Sequence, residues 1–308
     1  MNLKIKHLLS KDGFYWSIYY IICFVDKFIH VNDKMFLIYG YRCNMGRRLH
    51  LKQPLLFSEK LQWLKLYNRD DNYTRYVDKY EVKSWVKEKL GDEYVIPTYG
   101  VWDSTEDIDW DSLPNQFVLK CTHDSGGLII CKNKKELNKV SACSVLEKCL
   151  KNNYYKAGRE WPYKNVPRRV FAEKYMIDEQ TGELRDYKFF CFNGVVKFFK
   201  IDFDRFIEHR ANYYDRNGLY LDFGEVICPR KKDAVIEIPD NLTEMIENAE
   251  ILSRGIPFVR VDFYNCQGKI YFGEMTFFPA GGMGELDPSD CDEKWGRMLQ
   301  LPEKKKKA

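Results

Sequence analysis

Apolar positions recur at helical spacing in the first third of the chain and at strand spacing after it. Leu61, Trp63, Leu64 and Tyr67 form one apolar stripe, which predicts an amphipathic helix over residues 57–71 with Ser58 in the N-cap position. Tyr76, Val77, Tyr80, Val82, Trp85, Val86 and Leu90 predict a second helix over residues 74–90, stopped by Gly91. From Tyr94 the period shortens. Residues 94–101, 117–121, 128–131, 170–177, 186–192 and 195–202 are short, rich in β-branched and aromatic residues and bounded by Gly, Pro or Asp, so they predict strands. Asn193-Gly194 predicts a tight hairpin, and residues 258–264 and 269–275 form a second one around Asn265 to Gly268. Helices fit residues 137–150 and 242–253. Helices first, then antiparallel strand pairs interrupted by helices, is an α+β signature.

The longest uncharged apolar run is GFYWSIYYIICFV, residues 13–25. A bilayer crossing needs about 20 residues, so this run does not span one. Lys4, Lys6 and Lys11 precede it as in a signal peptide, but no small-residue cleavage site follows, and Asp26, Lys27 and His30 continue a helical pattern. Two readings stay open: a helix buried in the core, and a helix lying in the membrane interface. Residues 1–57 form the N-terminal helical region, with a basic segment (Arg42, Arg47, Arg48, Lys52) before a break at Pro54, and residues 58–110 form a second helical region.

At 308 residues the chain can bury one large core or two modest ones. Its 49 Lys and Arg against 45 Asp and Glu leave a net charge of +4, which announces no nucleic-acid binder. The ten cysteines are scattered without a CxxC pair, which indicates neither a disulfide framework nor a zinc site and makes the cytoplasm the expected compartment. The aromatic load, Tyr 21, Phe 20 and Trp 7, fits a large core and also fits stacking on a sugar acceptor.

Four segments change this picture. FVLKCTHDSGG, residues 117–127, puts Lys120 at the end of a strand before a Ser-Gly-Gly loop, where an ammonium and close backbone amides can hold a phosphate; the alternative is an ordinary hairpin. VRVDFYNCQGKIYFGEMTFFPAGG, residues 259–282, carries Asp262 and Glu274 on partner strands, where two carboxylates could share Mg²⁺ with a nucleotide or simply face solvent. The PAGGMG loop after it could bring amides close to a ligand. RDYKFFCFNG, residues 185–194, sets Asp186 and Lys188 on one strand face. Arg205, Arg210 and Asn212 make a polar, cation-rich loop, suited to phosphate or to surface ion pairs.

The order of these pieces resembles the ATP-grasp superfamily. More narrowly, FSEKLQWLKLY, VDKYEVKSWVKEKLG, LPNQFVLKCTHDSGG, REWPY and DYKFFCFNG resemble the TupA-like ATP-grasp family of bacterial polysaccharide loci, linked to teichuronopeptide synthesis, over about residues 40–302. The resemblance implies an ATP-grasp fold of two α+β subdomains clasping ATP, at residues 111–185 and 186–302, with residues 303–308 a disordered tail. Lys79 and Lys120 are similar to the phosphate lysines, and Ser125, Gly126 and Gly127 to the mobile glycine loop. Glu173, Lys174, Tyr175 and Met176 match the adenine hinge, with Asp186 and Lys188 also at the nucleotide. Asp262 and Glu274 match the metal carboxylates, but Thr276 stands where other ATP-grasp ligases have Asn. Arg210 and Asn212 resemble the Arg-x-Asn on the transferred phosphate and acyl group, and His123 could shuttle a proton.

What the resemblance implies is a carboxylate–amine ligase using ATP and two Mg²⁺, which forms an acyl phosphate and then an amide between an amino acid or peptide and a uronic-acid carboxylate of a surface glycan precursor. Peripheral contact of residues 14–25 with the inner face of the plasma membrane would suit such a substrate. The rival classes are a glycan kinase using the same ATP site, a non-catalytic binding module, and a glycosyltransferase, for which Asp202-Phe203-Asp204 and Asp107-Ile108-Asp109 both spell DxD.

Overall fold

A computed structural model describes residues 13–124, 126–178, 184–204 and 207–304. Its strands are β1 (Thr98–Trp102), β2 (Phe117–Cys121), β3 (Leu128–Cys131), β4 (Val170–Lys174), β5 (Asp186–Phe192), β6 (Val195–Phe203), β7 (Arg210–Tyr214), β8 (Tyr220–Leu221), β9 (Gly224–Glu225), β10 (Phe258–Cys266), β11 (Lys269–Thr276) and β12 (Leu286–Asp287). They make a four-stranded sheet in the order β1-β4-β2-β3, a six-stranded sheet in the order β11-β10-β5-β6-β7-β8, and the small pair β12-β9. Every strand pairing among the described residues is antiparallel. With the helices before and between the sheets, this is the α+β arrangement expected from the sequence, and among the described residues it lacks the parallel βαβ units that a nucleotide-sugar fold builds on.

Alternation along the strands decides which face each sheet offers. In the first sheet, Phe117, Leu119, Cys121, Val170 and Ala172 pack with Leu146 of the helix Lys139–Lys151, which leaves Lys120 and Glu173 on the opposite face. In the second, Phe189, Cys191, Val259 and Val261 belong to the core with Met245, Ala249 and Leu252 of the helix Leu242–Ser253, and the Cys191 thiol reaches the Ala249 carbonyl. The opposite face is divided. One end holds Asp186, Lys188, Lys200, Asp202, Arg260 and Asp262, while the other is aromatic: Trp295 lies 5.5 Å from Phe190 and 4.6 Å from Phe198, and Phe57 lies 4.9 Å from Phe258.

Several expectations shift by a turn, each for a local reason. The helix expected over residues 74–90 is two helices, Asn72–Val77 and Glu81–Lys89, because the Asp78 carboxylate accepts the Tyr80 and Glu81 N–H groups and starts a new helix. Ser58 is not an N-cap. The helix runs Phe57–Tyr67 from Leu56, and Ser58 instead binds Asp292 through its N–H (2.7 Å) and hydroxyl (2.7 Å), while Glu59 accepts the Leu55 and Leu56 N–H groups. Residues 210–214, read as a loop, are strand β7. Both hairpins form on two-residue turns with positive φ, Asn193-Gly194 and Gln267-Gly268.

The N-terminal apolar run is the helix Gly13–Val25, followed by a second helix, Asp33–Met45, that the sequence reading did not separate. Ile22 is buried with Phe36, Leu37, Tyr41 and Leu49 in a small core of its own, and Ile18 and Tyr19 lean on it. Arg159, fully buried, ties this pair to the rest through Asp26 (2.6 Å) and Asp33 (3.2 Å). In the same REWPY segment Glu160 is buried near Lys65; burial raises the carboxyl and lowers the ammonium. At the other end, the Lys304 ammonium lies 4.0 Å from the Tyr67 ring centroid, and residues 305–308 of the expected tail lie outside the described residues.

Candidate active site

The two polar faces meet at a cleft lined by Lys79, Lys120, Asp124, Gly127, Asp186, Lys188, Asp262 and Glu274, among others. Strand register builds its floor. Glu274 pairs with Asp262, Asp262 with Lys188, and Lys188 with Lys200, so four charged residues stand in one row across β11, β10, β5 and β6. A bulge keeps Glu274 in that row. Gly273 is its extra residue, and a Cβ there would come within 3.0 Å of the Asp262 carbonyl.

Charge in this row is nearly all paired. Arg260 lies two residues before Asp262 on the same face and binds it through two bonds, Nε to Oδ1 (2.7 Å) and Nη2 to Oδ2 (2.6 Å); Nη2 also reaches Glu274 (3.3 Å) and the Thr276 hydroxyl (3.1 Å). Burial pushes Asp262 up to about 6 despite Arg260 and Lys188. Glu274 would also rise with burial, but Lys79, Arg260 and Lys188 bring it down to about 2. Lys188 binds Asp202 (2.6 Å), and Lys200 binds Glu225 (2.5 Å). Asp202 is held below the ordinary carboxylate range: burial opposes this, but Lys200 and Lys188 outweigh it.

The opposite wall comes from the first sheet and the break between helices. That break turns Lys79 inward: its N–H donates to the Thr122 carbonyl (3.1 Å), and its ammonium donates to the Asp124 carbonyl (2.5 Å) and lies 3.8 Å from Glu274. Lys120 pairs with Glu173, whose other oxygen takes Lys83 at 2.7 Å. Glu173 is therefore a buried counter-charge shared by two lysines, not a group turned to an adenine amino edge. The Lys174 N–H donates to the Pro97 carbonyl (2.9 Å), so of the hinge groups expected to read a purine this donor is already engaged, and Tyr175 and Met176 follow β4 half-buried.

Beside Lys120, the glycine loop folds around Asp124, whose Oδ1 accepts the N–H groups of Gly126 and Gly127, each at 2.9 Å. Gly127 is small for packing: a Cβ would lie 2.8 Å from the Cys121 sulfur and 3.0 Å from Cys149 Cβ, whereas Gly126 has open space. Ser125 and Arg205 lie outside the described residues.

Three assignments are corrected by placement. His123 is buried away from the cleft lining, with Nε2 3.1 Å from the Cys149 carbonyl and 3.2 Å from that of Asn152, which makes it a helix-end anchor and not a proton shuttle. Asn212 spends its amide on the main chain of Lys231, donating at 2.9 Å and accepting at 2.9 Å, and Arg210 pairs with Glu208, so neither lines the cleft. Gly281 and Gly282 of the PAGG turn offer carbonyls rather than amides, taken by Lys65 and Gln62, and Phe277 and Phe278 beside them are buried core. Neither DxD triplet forms a metal pair. Asp109 caps the N–H groups of Asp111 and Ser112, while Asp202 pairs with Lys188 and Lys200 and Asp204 sits past the strand at positive φ.

Lys83, Lys200 and Arg260 were missed. For Arg260 the signal was present in VRVDF, because i and i+2 on a strand share a face and a lone buried carboxylate needs a cation.

The donor set at Asp262, Glu274 and Thr276 is all oxygen, the kind that suits a hard cation such as Mg²⁺. Both Asp262 oxygens accept bonds from Arg260, and the Thr276 hydroxyl donates to Glu274 at 3.2 Å, so a cation held here would share these carboxylates with Arg260.

A family model described as TupA-like ATPgrasp matches residues 59–300. Comparison with curated proteins gave no match. Among solved structures the chain is similar to D-alanine–D-alanine ligase from Helicobacter pylori (15% identity, covering 79% of this chain and 69% of that one, TM-score 0.43). It is also similar to D-alanine–D-alanine ligase from Bacillus anthracis (17%, 66% and 57%, 0.39) and to the ATP-grasp ligase PsnB in complex with a minimal precursor, Mg and ADP (12%, 82% and 65%, 0.40). These likenesses are distant, and the chain spans less than two thirds of the length of the latter two. The family match covers well over half of the chain, which belongs to the TupA-like ATP-grasp family.

Proposed function

We propose that the cleft joins an amino acid or peptide, through its amine, to a uronic-acid carboxylate of a bacterial surface-glycan precursor. The observation that carries this reading is the facing of Lys79 and Lys120 on one wall against the Glu274–Asp262–Lys188–Lys200 row on the other. Such a site neutralises phosphates from both sides and offers carboxylates for a cation between them. The uronic acid and the amine come from the family resemblance.

In this reading Lys79 and Lys120 hold the ATP phosphates, and Arg260 and Lys188 offset charge that gathers on the γ-phosphoryl group as the substrate carboxylate attacks it and ADP leaves. Asp262 and Glu274, with Thr276 beside them, would hold Mg²⁺, which shields phosphate charge and holds the nucleotide's oxygens in place. The amine then attacks the acyl carbon and phosphate departs. Among the described residues Cys121 is the one thiol lining the cleft, and burial pushes it up to about 12, far from a thiolate at neutral pH, so this reading gives it no part in the reaction.

The test is the product mass from ATP, Mg²⁺, a uronic-acid oligosaccharide and a pool of amino acids. A condensation increment supports the ligase; a phosphate increment would make the enzyme a glycan kinase.

A further inference from the structure

The helix Gly13–Val25 packs Ile22 inward and leaves the opposite side bare. Phe14 is 72% exposed, Ile21 61% and Phe24 61%, and the turn that continues the helix adds Phe28 at 75% and Ile29 at 70%. Spacings of seven, three and four residues set Phe14, Ile21, Phe24 and Phe28 along one side. Five large apolar side chains at such exposure are more than single scattered surface residues.

Charge decides what would cover them. Asp26 and Asp33 are the only carboxylates in residues 13–56, and both are buried. Asp26 pairs with Arg159, and Asp33 with Arg159, Arg69 (2.6 Å) and the Tyr155 hydroxyl (2.6 Å). Outward, the same segment shows Lys27, Lys34, Arg48 and Lys52, all exposed. A second copy of this chain, placed face to face by a two-fold axis, would bring these cations against their own kind with no exposed carboxylate of residues 13–56 between them. An anionic lipid surface neutralises them while its acyl region takes the phenylalanines. No described helix is long and apolar enough to cross a membrane, so the contact lies along the surface.

We infer that residues 13–34 form an interfacial surface that holds the protein on an anionic bilayer. Because Arg159 and the Lys156 ammonium, 3.0 Å from the Asp26 carbonyl, fasten this surface to residues 156–159, the docked chain carries its cleft in a fixed attitude to the lipid. Removing residues 1–30 would also remove Asp26 from buried Arg159, so point variants on the exposed side are the cleaner probe.

The experiment is flotation of the full chain with vesicles of phosphatidylcholine alone and of phosphatidylcholine with phosphatidylglycerol, at low and high salt. The wild type should float with the anionic vesicles and be released by salt. Phe24→Ser with Phe28→Ser should lower the bound fraction about tenfold with unchanged thermal unfolding, and Lys27→Glu with Lys34→Glu should weaken binding to anionic vesicles. No flotation, equal flotation on neutral vesicles, or equal flotation of the phenylalanine variant overturns the inference. So does a dimer that the phenylalanine variant disperses in the absence of vesicle binding, which would make a second copy the occupant.

Discussion

The Lys83 ammonium lies 2.7 Å from the Glu173 carboxylate, and Lys120 takes the other oxygen of the same group. Although burial would raise Glu173, Lys120 and Lys83 keep it below its ordinary value, so it stands ionised between them. Lys83 also donates to the Thr98 hydroxyl (2.9 Å) and the Ile96 carbonyl (3.1 Å), which fixes it to the approach to β1. It therefore shares the counter-charge that would otherwise hold Lys120 alone.

Replacing Lys83 by Met should pull Lys120 onto Glu173 and away from a phosphate. The expected outcome is an ATP KM raised about tenfold with a smaller fall in kcat, and a loss of about 1–3 kcal/mol in stability. ATP titration and chemical denaturation of the variant measure both; an unchanged KM would separate Lys83 from nucleotide binding.

Arg260 and Asn212 should part company. Arg260→Lys keeps the charge but loses the two-bond grip on Asp262, and turnover should fall about 10²-fold. Asn212→Ala leaves the Lys231 main chain without its partners, and should cost about 1–3 kcal/mol of stability with ATP KM within about twofold of wild type. Steady-state kinetics and denaturation of the two variants decide it. Lost turnover at full stability in Asn212→Ala would restore the role its sequence resemblance suggests.

The two loop glycines should also differ. Gly126→Ala meets open space and should leave stability within about 0.5 kcal/mol, whereas Gly127→Ala drives a methyl into Cys121 and Cys149 and should cost about 1–3 kcal/mol. Thermal unfolding compares them directly.

The contrast at these residues shows how far the sequence could be read. Strands β2, β3 and β5 have the expected bounds because each is a short apolar or aromatic run closed by turn residues or charge. Lys120, Lys188, Asp262 and Glu274, legible from strand spacing and the glycine loop, line the cleft together with Lys79, which only the family resemblance had pointed to. What was lost depends on partners far away in sequence. Asp78 breaks an otherwise unbroken helical pattern, Lys83 looks like any solvated helix lysine until Glu173 is placed beside it, and Asn212 looks like a ligand until Lys231 is seen to use both its amide groups.

Acid should unfold the protein through the same charge pairs. Glu173, Asp202, Glu225 and Glu274 are all held below their ordinary values, against the burial that would raise them, by neighbouring lysines and arginine. A lowered carboxylate contributes stability that is present above its unfolded value and lost as pH falls through the folded one. The melting temperature should therefore reach its plateau at about pH 5 and drop steeply below about pH 4, with a modest decline toward about pH 7 as Asp262 and Glu160, which burial holds above their ordinary values, ionise. Asp202→Asn should lower the plateau and flatten the drop, measured as melting temperature against pH; a variant parallel to wild type at every pH would mean Asp202 contributes nothing through its charge.

The proposed reaction forms an acyl phosphate in a cleft whose cations face phosphate from both walls. It is tested most directly with a substrate carboxylate labelled with ¹⁸O, incubated with ATP, Mg²⁺ and amine, and followed by mass analysis of the released phosphate. Transfer of one carboxylate oxygen to phosphate in step with amide formation is the predicted result. Product formed with no label in the phosphate would contradict it.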